Sequence, residues 1–203
     1  MIKEVAIGNI SQGLEFDTKN ADRYELCDNM LEGGTTPSYG TIKAAIEQLK
    51  APSMVMIRPR GGDFVYRDYE LEIMINDIKV CKELGAKGIV LGVLTEENEI
   101  DYQKTKMLID LAKPMEVVFH KAIDLTKDPV KEVKKLANLG IDRILTSGGE
   151  KTAVEGIEVL KSMIEESKGT SLKIVVAGKV SNDNIDFLSE HLNTDEFHGS
   201  TII

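Results

Sequence analysis

The sequence predicts an α/β protein in which eight parallel strands close into a (β/α)8, or TIM, barrel spanning residues 1–203 as a single domain. Three observations lead there. Short Val-, Ile- and Leu-rich runs recur along the chain, as in strands buried on both faces of a parallel sheet. Between them lie segments with apolar residues at i, i+3, i+4 and i+7, the face a helix packs on such a sheet. Eight such units close into a barrel better than they form an open sheet. An open doubly wound sheet is the alternative, because periodicity does not report closure.

The first strand is Ile2 to Ile7, interrupted by Lys3 and Glu4 and ended by Gly8-Asn9; a short helix through Leu14 and Phe16 follows. Arg23, Glu25 and Cys27 then alternate with Tyr24 and Leu26, the period-2 pattern of a strand, before a loop that contains Asp28, Gly33, Gly34 and Pro37. A solvated edge strand would give the same alternation. Ile42, Ala45, Ile46 and Leu49 mark a helix that Pro52 stops, and Ser53 to Ile57 is the third strand. After RPRGGDFVYRD comes a long helix with Leu71, Met74, Ile78 and Cys81 on one face, closed by Gly85.

Gly88 to Leu94 is the fourth strand, Asp101 to Ala112 the next helix, and Met115 to His120 the fifth strand. Asp128-Pro129 places an acid at the N-cap and proline at the first helical position, and Val130, Val133, Leu136 and Ala137 give that helix its face. Arg143 to Thr146 is the sixth strand, leading into Ser147-Gly148-Gly149 and a helix marked by Val154, Ile157, Leu160 and Ile164. Leu172 to Ala177 ends at Gly178 as the seventh strand, Ser181 caps a short helix through Leu188, and Asp195 to His198 is the eighth, ending in Gly199-Ser200.

Composition narrows the function. A net charge of -9 lacks the basic footprint that phosphate-backbone binding needs, so nucleic acid is not an expected partner. No apolar run reaches the ~18 residues of a membrane span, and the opening MIKEVAIGN has no signal-peptide apolar core, so a cytoplasmic protein is expected. Cys27 and Cys81 form no CxxC pattern, and Cys81 falls on a buried helical stripe as packing.

The strand ends gather the polar residues: Glu25 and Cys27, Arg58 and Arg60, His120 and Asp124, Ser147, then His198 and Ser200. In a parallel barrel the carboxyl face carries the active site. Glu25, Arg58 and His120 are the catalytic candidates. Arg58 is expected to pair with Glu25 and keep it ionised, and His120 to serve as acid or base near neutral pH. A purely structural ion pair and a satisfied core histidine are the plain alternatives. Glycines after several strands, with Ser147, Gly148 and Ser200 among them, suggest backbone N–H groups facing an anion. Strand alternation points Lys121 away from His120.

NADRYELCDNMLEGGTTPSYG, MIRPRGGDFVY, VVFHKAID, RILTSGG and EFHGS, in this order, resemble the motifs of the CutC family over nearly the whole chain. The resemblance implies a (β/α)8 barrel, a cytoplasmic location and a role in copper handling, with copper as a bound ion. Carried over, the motifs fall on Glu25, Cys27, Asp28, Arg58, Arg60, Asp63, His120, Asp124 and His198. Three departures stand out. Lys121 replaces the usual arginine, which removes a bidentate anion contact; the glycine-rich run after strand seven is here AGKV; and the chain stops at Ile203, so the closing helix is missing. An apolar groove beside strands one and eight is then expected to be covered by a second copy, as in a homodimer, or by a rearranged terminus.

Two function classes follow. Cu(I) prefers soft ligands, and Cys27 is the thiolate on offer, with Met30 or Met56 and His120 or His198 nearby. An enzyme acting on a small anionic or phosphorylated molecule would use Glu25 and His120 for proton transfer. Arg58 and Arg60 would then hold the negative group, with Asp28, Asp63, Asp124, Ser147, Gly148, His198 and Ser200 around it. A regulatory barrel without turnover is a third reading.

Overall fold

The computed structural model describes residues 1–203. Its elements alternate: β1 (Ile2–Ile7), α1 (Ile10–Asp17), β2 (Arg23–Leu26), α2 (Tyr39–Gln48), β3 (Ser53–Met56), α3 (Asp68–Leu84), β4 (Gly88–Leu91), α4 (Tyr102–Ala112), β5 (Glu116–Phe119), α5 (Pro129–Leu139), β6 (Arg143–Thr146), α6 (Ile157–Ser167), β7 (Lys173–Val176), α7 (Ile185–His191) and β8 (Glu196–Gly199). Short 3-10 turns at Met30–Glu32 and Lys121–Leu125 follow β2 and β5. Every strand pairs in parallel with the next, and β8 returns to β1 with Glu4 opposite His198. The sheet closes, so the open alternative is excluded. No helix is long and apolar enough to cross a membrane.

Local chemistry explains the element boundaries. Asn9, Ser38, Asp101 and Asp128 each accept a backbone N–H of the helix they precede, satisfying a donor that the helix leaves free. Each such cap contributes about 1 kcal/mol. Proline at the first position of α5 and left-handed Gly140 at its end bound that helix as its sequence predicts. β5 ends one residue earlier than its apolar run: His120 takes up the N-cap of the 3-10 turn, its Nδ1 accepting from Ala122 N at 3.2 Å.

Strand alternation divides the interior into two cores. Outward residues such as Val5, Ile7, Tyr24, Val55, Ile89 and Phe119 pack against the helices in a cluster of 43 buried residues that includes Cys81. Inside the barrel, Cys27, Met54, Met56, Val90, Val118, Leu145, Val175 and Ala177 form a separate cluster. Below it lies a ring of charge. Arg23 is held by Glu4 and, at 2.6 Å, by Glu196; Arg143 reaches Glu196 at 2.8 Å and also Glu116. Buried charges persist only when paired in this way.

After β8 the chain turns once more, Thr201 bridging Ser181 and Ile202 fully buried. Leu14 of α1 and Phe187 of α7, the first and last helices, are both 43% exposed.

Candidate functional site

A cavity of about 170 Å³ opens at the carboxyl ends of the strands, walled by Glu25, Cys27, Met56, Arg58, His120 and His198, with Met30, Phe64 and Lys121 around them. Glu25, Arg58 and His120, the three catalytic candidates, therefore share one pocket, although 95 residues separate the first from the last. Barrel closure brings them there: each is the inward residue at or just beyond the end of its strand.

Their partners differ from the expected ones. Arg58 does not pair with Glu25. Its guanidinium donates to the carbonyls of Glu32 (2.6 Å), Gly34 (3.0 Å) and Gly62 (2.7 Å), pinning the loops after β2 and β3 together, and it lies 4.8 Å from the Phe64 ring. Glu25 is instead flanked by His198, whose Nε2 stands 3.6 Å from Oε2, and by the Cys27 thiol at the same distance. His198 Nδ1 in turn meets Glu4 Oε1 at 2.8 Å. A line of groups, Glu4, His198, Glu25 and Cys27, thus runs from the barrel interior to the cavity.

Burial and neighbours set their charges. Glu4 falls from 4.5 to about 2: burial opposes its ionisation, but the hydrogen bond and charge of His198, helped by Arg23, outweigh it. His198 is raised, because the carboxylates of Glu25 and Glu4 outweigh its desolvation. Burial pushes Glu25 up, with His198 only partly offsetting it, so Glu25 is not the firmly ionised group expected beside an arginine. Burial and the adjacent Glu25 push the Cys27 thiol well above its ordinary range. His120 drops to about 3, through burial first and the Arg58 charge second.

His120 is therefore a neutral imidazole at physiological pH, not a group titrating near neutrality as expected. Because its Nδ1 accepts from Ala122 N, the proton sits on Nε2, a buried donor without a partner. Its ring packs at 4.7 Å from Phe64 and occupies the space left by Gly92, where a Cβ would come within 2.4 Å of the imidazole. Glu4, Phe64 and Gly92 were not singled out from the sequence. Glu4 looked like an interruption of an apolar strand, but a carboxylate facing a barrel interior in register with a histidine was the available signal.

Other sequence candidates lie elsewhere or are already engaged. Arg60 is bound by Glu70 (2.5 Å), Asp63 (2.9 Å) and the Val65 carbonyl (2.9 Å), and with Asp63 it borders a different, larger cavity outside the mouth. It does not reach the Glu25 pocket. Asp28 is exposed and accepts from the N–H of Asn29. Lys121 does face the pocket, contrary to the alternation argument, because it belongs to a 3-10 turn and not to the strand.

Asp124 overturns the expected anion loop after β6. Its carboxylate accepts from Thr146 Oγ1 (2.5 Å), Gly149 N (2.9 Å), Ser147 N (3.1 Å) and Ser147 Oγ (3.0 Å), while Lys121 Nζ donates to it at 2.6 Å. Gly148 N is taken by Thr146 Oγ1. Ser147 and Gly149 thus spend their donors on an anion built into the chain, and Gly148 spends its own on a neighbouring hydroxyl.

No three His, Cys, Asp or Glu side chains are gathered closely enough to hold a metal ion. The soft donors that do line the pocket are the thiol of Cys27 and the thioethers of Met30 and Met56.

Comparison with known proteins agrees with this architecture. A crystal structure of a CutC copper homeostasis protein from Streptococcus agalactiae superposes with a TM-score of 0.94 at 36% identity, each chain covered in full. A deoxyribose phosphate aldolase from Aeropyrum pernix shares the barrel, with a TM-score of 0.71 over 98% of this chain and 85% of its own, at 15% identity that shows the fold alone. The human protein named copper homeostasis protein cutC homolog is 39% identical over 98% of this chain and 72% of its own length; a CutC protein of Histophilus somni is 41% identical over 96% and 80%. The CutC family profile matches residues 1–203 from end to end, and the chain belongs to that family, several of whose members bear the name of copper homeostasis proteins.

Proposed function

We propose that this barrel binds a small polar molecule in the Glu25 pocket and moves a proton on it. One observation carries the reading. Of six buried side-chain polar atoms without a partner, three belong to this wall: Glu25 Oε1, Arg58 Nε and His120 Nε2. Leaving such a group unpaired costs about 1–3 kcal/mol, so three at one cavity point to a ligand that satisfies them. A carboxyl, a guanidinium N–H and an imidazole N–H together suit a molecule bearing a carbonyl or carboxylate.

In this reading Glu25 exchanges the proton, its raised pKa bringing it closer to the operating range of a general acid or base. His198 beside Glu25 Oε2 buffers the charge that remains, and Glu4 keeps His198 protonated and oriented. His120, neutral, donates from Nε2 to oxygen as negative charge develops there, a role that suits imidazole better than imidazolium when no proton is to be lost. A thermal-shift and NMR screen of small carbonyl and carboxylate compounds tests it. Compounds that stabilise wild type should lose that effect in Glu25→Gln and His120→Gln, which keep side-chain size. A screen without hits, or hits indifferent to both substitutions, removes the proposal.

A second reading, Cu(I) binding, is favoured by the sulfur on the same wall. Cys27 with Met56 and Met30 offers the soft donors that Cu(I) selects, and Glu25 is placed to accept the thiol proton that metal binding would release. Anaerobic Cu(I) titration with proton-release measurement decides: affinity unchanged in Cys27→Ala takes this site out of consideration. The free, buried state of both cysteines suits the cytoplasm we expect for the protein. Exposed Leu14 and Phe187 suit the expected homodimer, which sedimentation as a monomer at micromolar concentration would refute.

A further inference from the structure

We infer that the cavity beyond the ends of β7 and β8 is a phosphate subsite, and that the molecule bound in the neighbouring Glu25 pocket is therefore a phosphomonoester. This cavity, of about 520 Å³, shares Ala6, Met30, Lys121 and His198 with the Glu25 pocket, so one ligand can span both. Its second half rests on the proton-transfer reading above; the subsite itself does not.

Three features support the assignment. The first is charge. The chain carries a net -9, yet the cavity wall contains no carboxylate; of its basic groups Lys121 is held by Asp124 and His198 by Glu4, which leaves Lys179 as a cation with no carboxylate partner. By contrast, the larger cavity bordered by Arg60 mixes its basic groups with Asp63, Glu96, Glu97 and Asp101. A wall that excludes carboxylates on so acidic a molecule is suited to an anion.

The second is backbone supply. Gly178, Lys179 and Ser200 lie in the loops after β7 and β8, and their N–H groups donate to no protein acceptor, whereas the equivalent loop after β6 has its donors taken by Asp124 and Thr146. Gly178 has φ +97° and Lys179 φ +56°, successive left-handed residues that turn the chain sharply at the cavity edge. Successive main-chain N–H groups in such turns form concave anion sites.

The third is space. Gly178 and Gly199 admit no side chain, since a Cβ on the first would come within 2.6 Å of Ser147 Cβ and on the second within 2.2 Å of the Val180 carbonyl oxygen. Both glycines let the turns after β7 and β8 pack closely against their neighbours. Lys179, by contrast, holds a left-handed backbone that costs a non-glycine residue strain. A cationic side chain stands here at a position where glycine would fit the backbone better.

The test is a titration of the full chain with inorganic phosphate at constant ionic strength, followed by amide NMR and calorimetry, with acetate as the control anion. Saturable binding is expected, with shifts centred on Gly178, Lys179 and Ser200 and none of comparable size for acetate. Lys179→Glu should weaken it about tenfold or more. Lys179→Gly, which relieves the backbone, should be at least as stable as wild type and still bind phosphate more weakly, separating binding from folding. Lys161→Ala, which removes an exposed lysine of α6 outside both cavities, should bind phosphate as wild type does. Absence of saturation in wild type, shifts centred elsewhere, or affinity equal to that of wild type in both Lys179 variants overturns the subsite. Phosphate binding of the expected kind, together with failure of Glu25→Gln to affect any ligand of the first pocket, would uphold the subsite and reject the proton-transfer reading.

Discussion

Glu4→Gln isolates the part of the site that holds charge in place. The substitution keeps the side-chain volume and removes one negative charge from the centre of the barrel, where Glu4 touches both His198 Nδ1 (2.8 Å) and the Arg23 guanidinium. The drop of the Glu4 pKa from 4.5 to about 2 converts, at about 1.4 kcal/mol per pKa unit, to about 3 kcal/mol of stability supplied by its ionised form. That contribution is present above the unfolded pKa of 4.5 and lost as pH falls towards 2. His198 shifts the opposite way: its raised pKa contributes stability fully present below the unfolded value of 6.5 and lost as pH rises through its folded pKa. The pair is therefore strongest between about pH 4.5 and 6.5, and both shifts describe one interaction rather than two additive ones.

Urea denaturation at pH 5.5 should find Glu4→Gln about 3 kcal/mol less stable than wild type, the difference narrowing below pH 4. Side-chain NMR should show His198 titrating at lower pH in the variant, because only Glu25, 3.6 Å away, is left to stabilise the imidazolium. A variant as stable as wild type at pH 5.5, with His198 titrating unchanged, would refute the charge line from Glu4 to Glu25.

Three further perturbations follow from the same geometry. Gly92→Ala places a methyl group against the His120 ring, and by overpacking should cost about 1–3 kcal/mol in chemical denaturation and abolish binding in the Glu25 pocket. Asp124→Asn leaves the donors of Thr146, Ser147 and Gly149 without their carboxylate and should lower stability by about 2–3 kcal/mol at pH 7; since the folded Asp124 pKa is depressed, the deficit should fade as wild type is acidified through that value. Arg60→Ala removes the partner of Glu70 in the first turn of α3, so melting temperature should fall while affinity for any ligand of the Glu25 pocket stays unchanged; a binding defect would show that Arg60 reaches the pocket after all.

Elements were legible in the sequence because strand and helix periods differ and punctuation is explicit: Asp128-Pro129 and Gly140 bound α5 as their chemistry demands; closure was favoured only by the count of eight units and is settled by the pairing of β8 with β1. The rim was legible for the same reason, since the end of each apolar run marks the carboxyl mouth. Partnership was not. Arg58 and Glu25 sit at the ends of adjacent strands, which made an ion pair the natural expectation, but the carbonyls of Glu32, Gly34 and Gly62 compete for the guanidinium and win. Lys121 was misread because alternation holds only while the strand lasts, and β5 ends at Phe119. Glu4 was passed over because its partner is 194 residues away in sequence and meets it only when β1 pairs with β8.

The two ends of the barrel use the same residue types for opposite purposes, and the number of partners tells them apart. At the lower end Arg23 lies between Glu4 and Glu196, and Arg143 between Glu196 and Glu116, so each charge is matched by its neighbours. Such a ring fixes strand register and gives a ligand nothing to add. At the mouth Glu25, Arg58 and His120 each keep a buried polar atom unmatched, and the glycine-bearing turn after β7 keeps its N–H groups free. A fold that can saturate one set of charges so thoroughly has no packing reason to leave the other set open, because donors and acceptors of the right kind stand within the same sheet. The open set is therefore better explained by a molecule that completes it, and only Glu4, which serves the ring through Arg23 and the mouth through His198, couples the stability of the barrel to the chemistry above it.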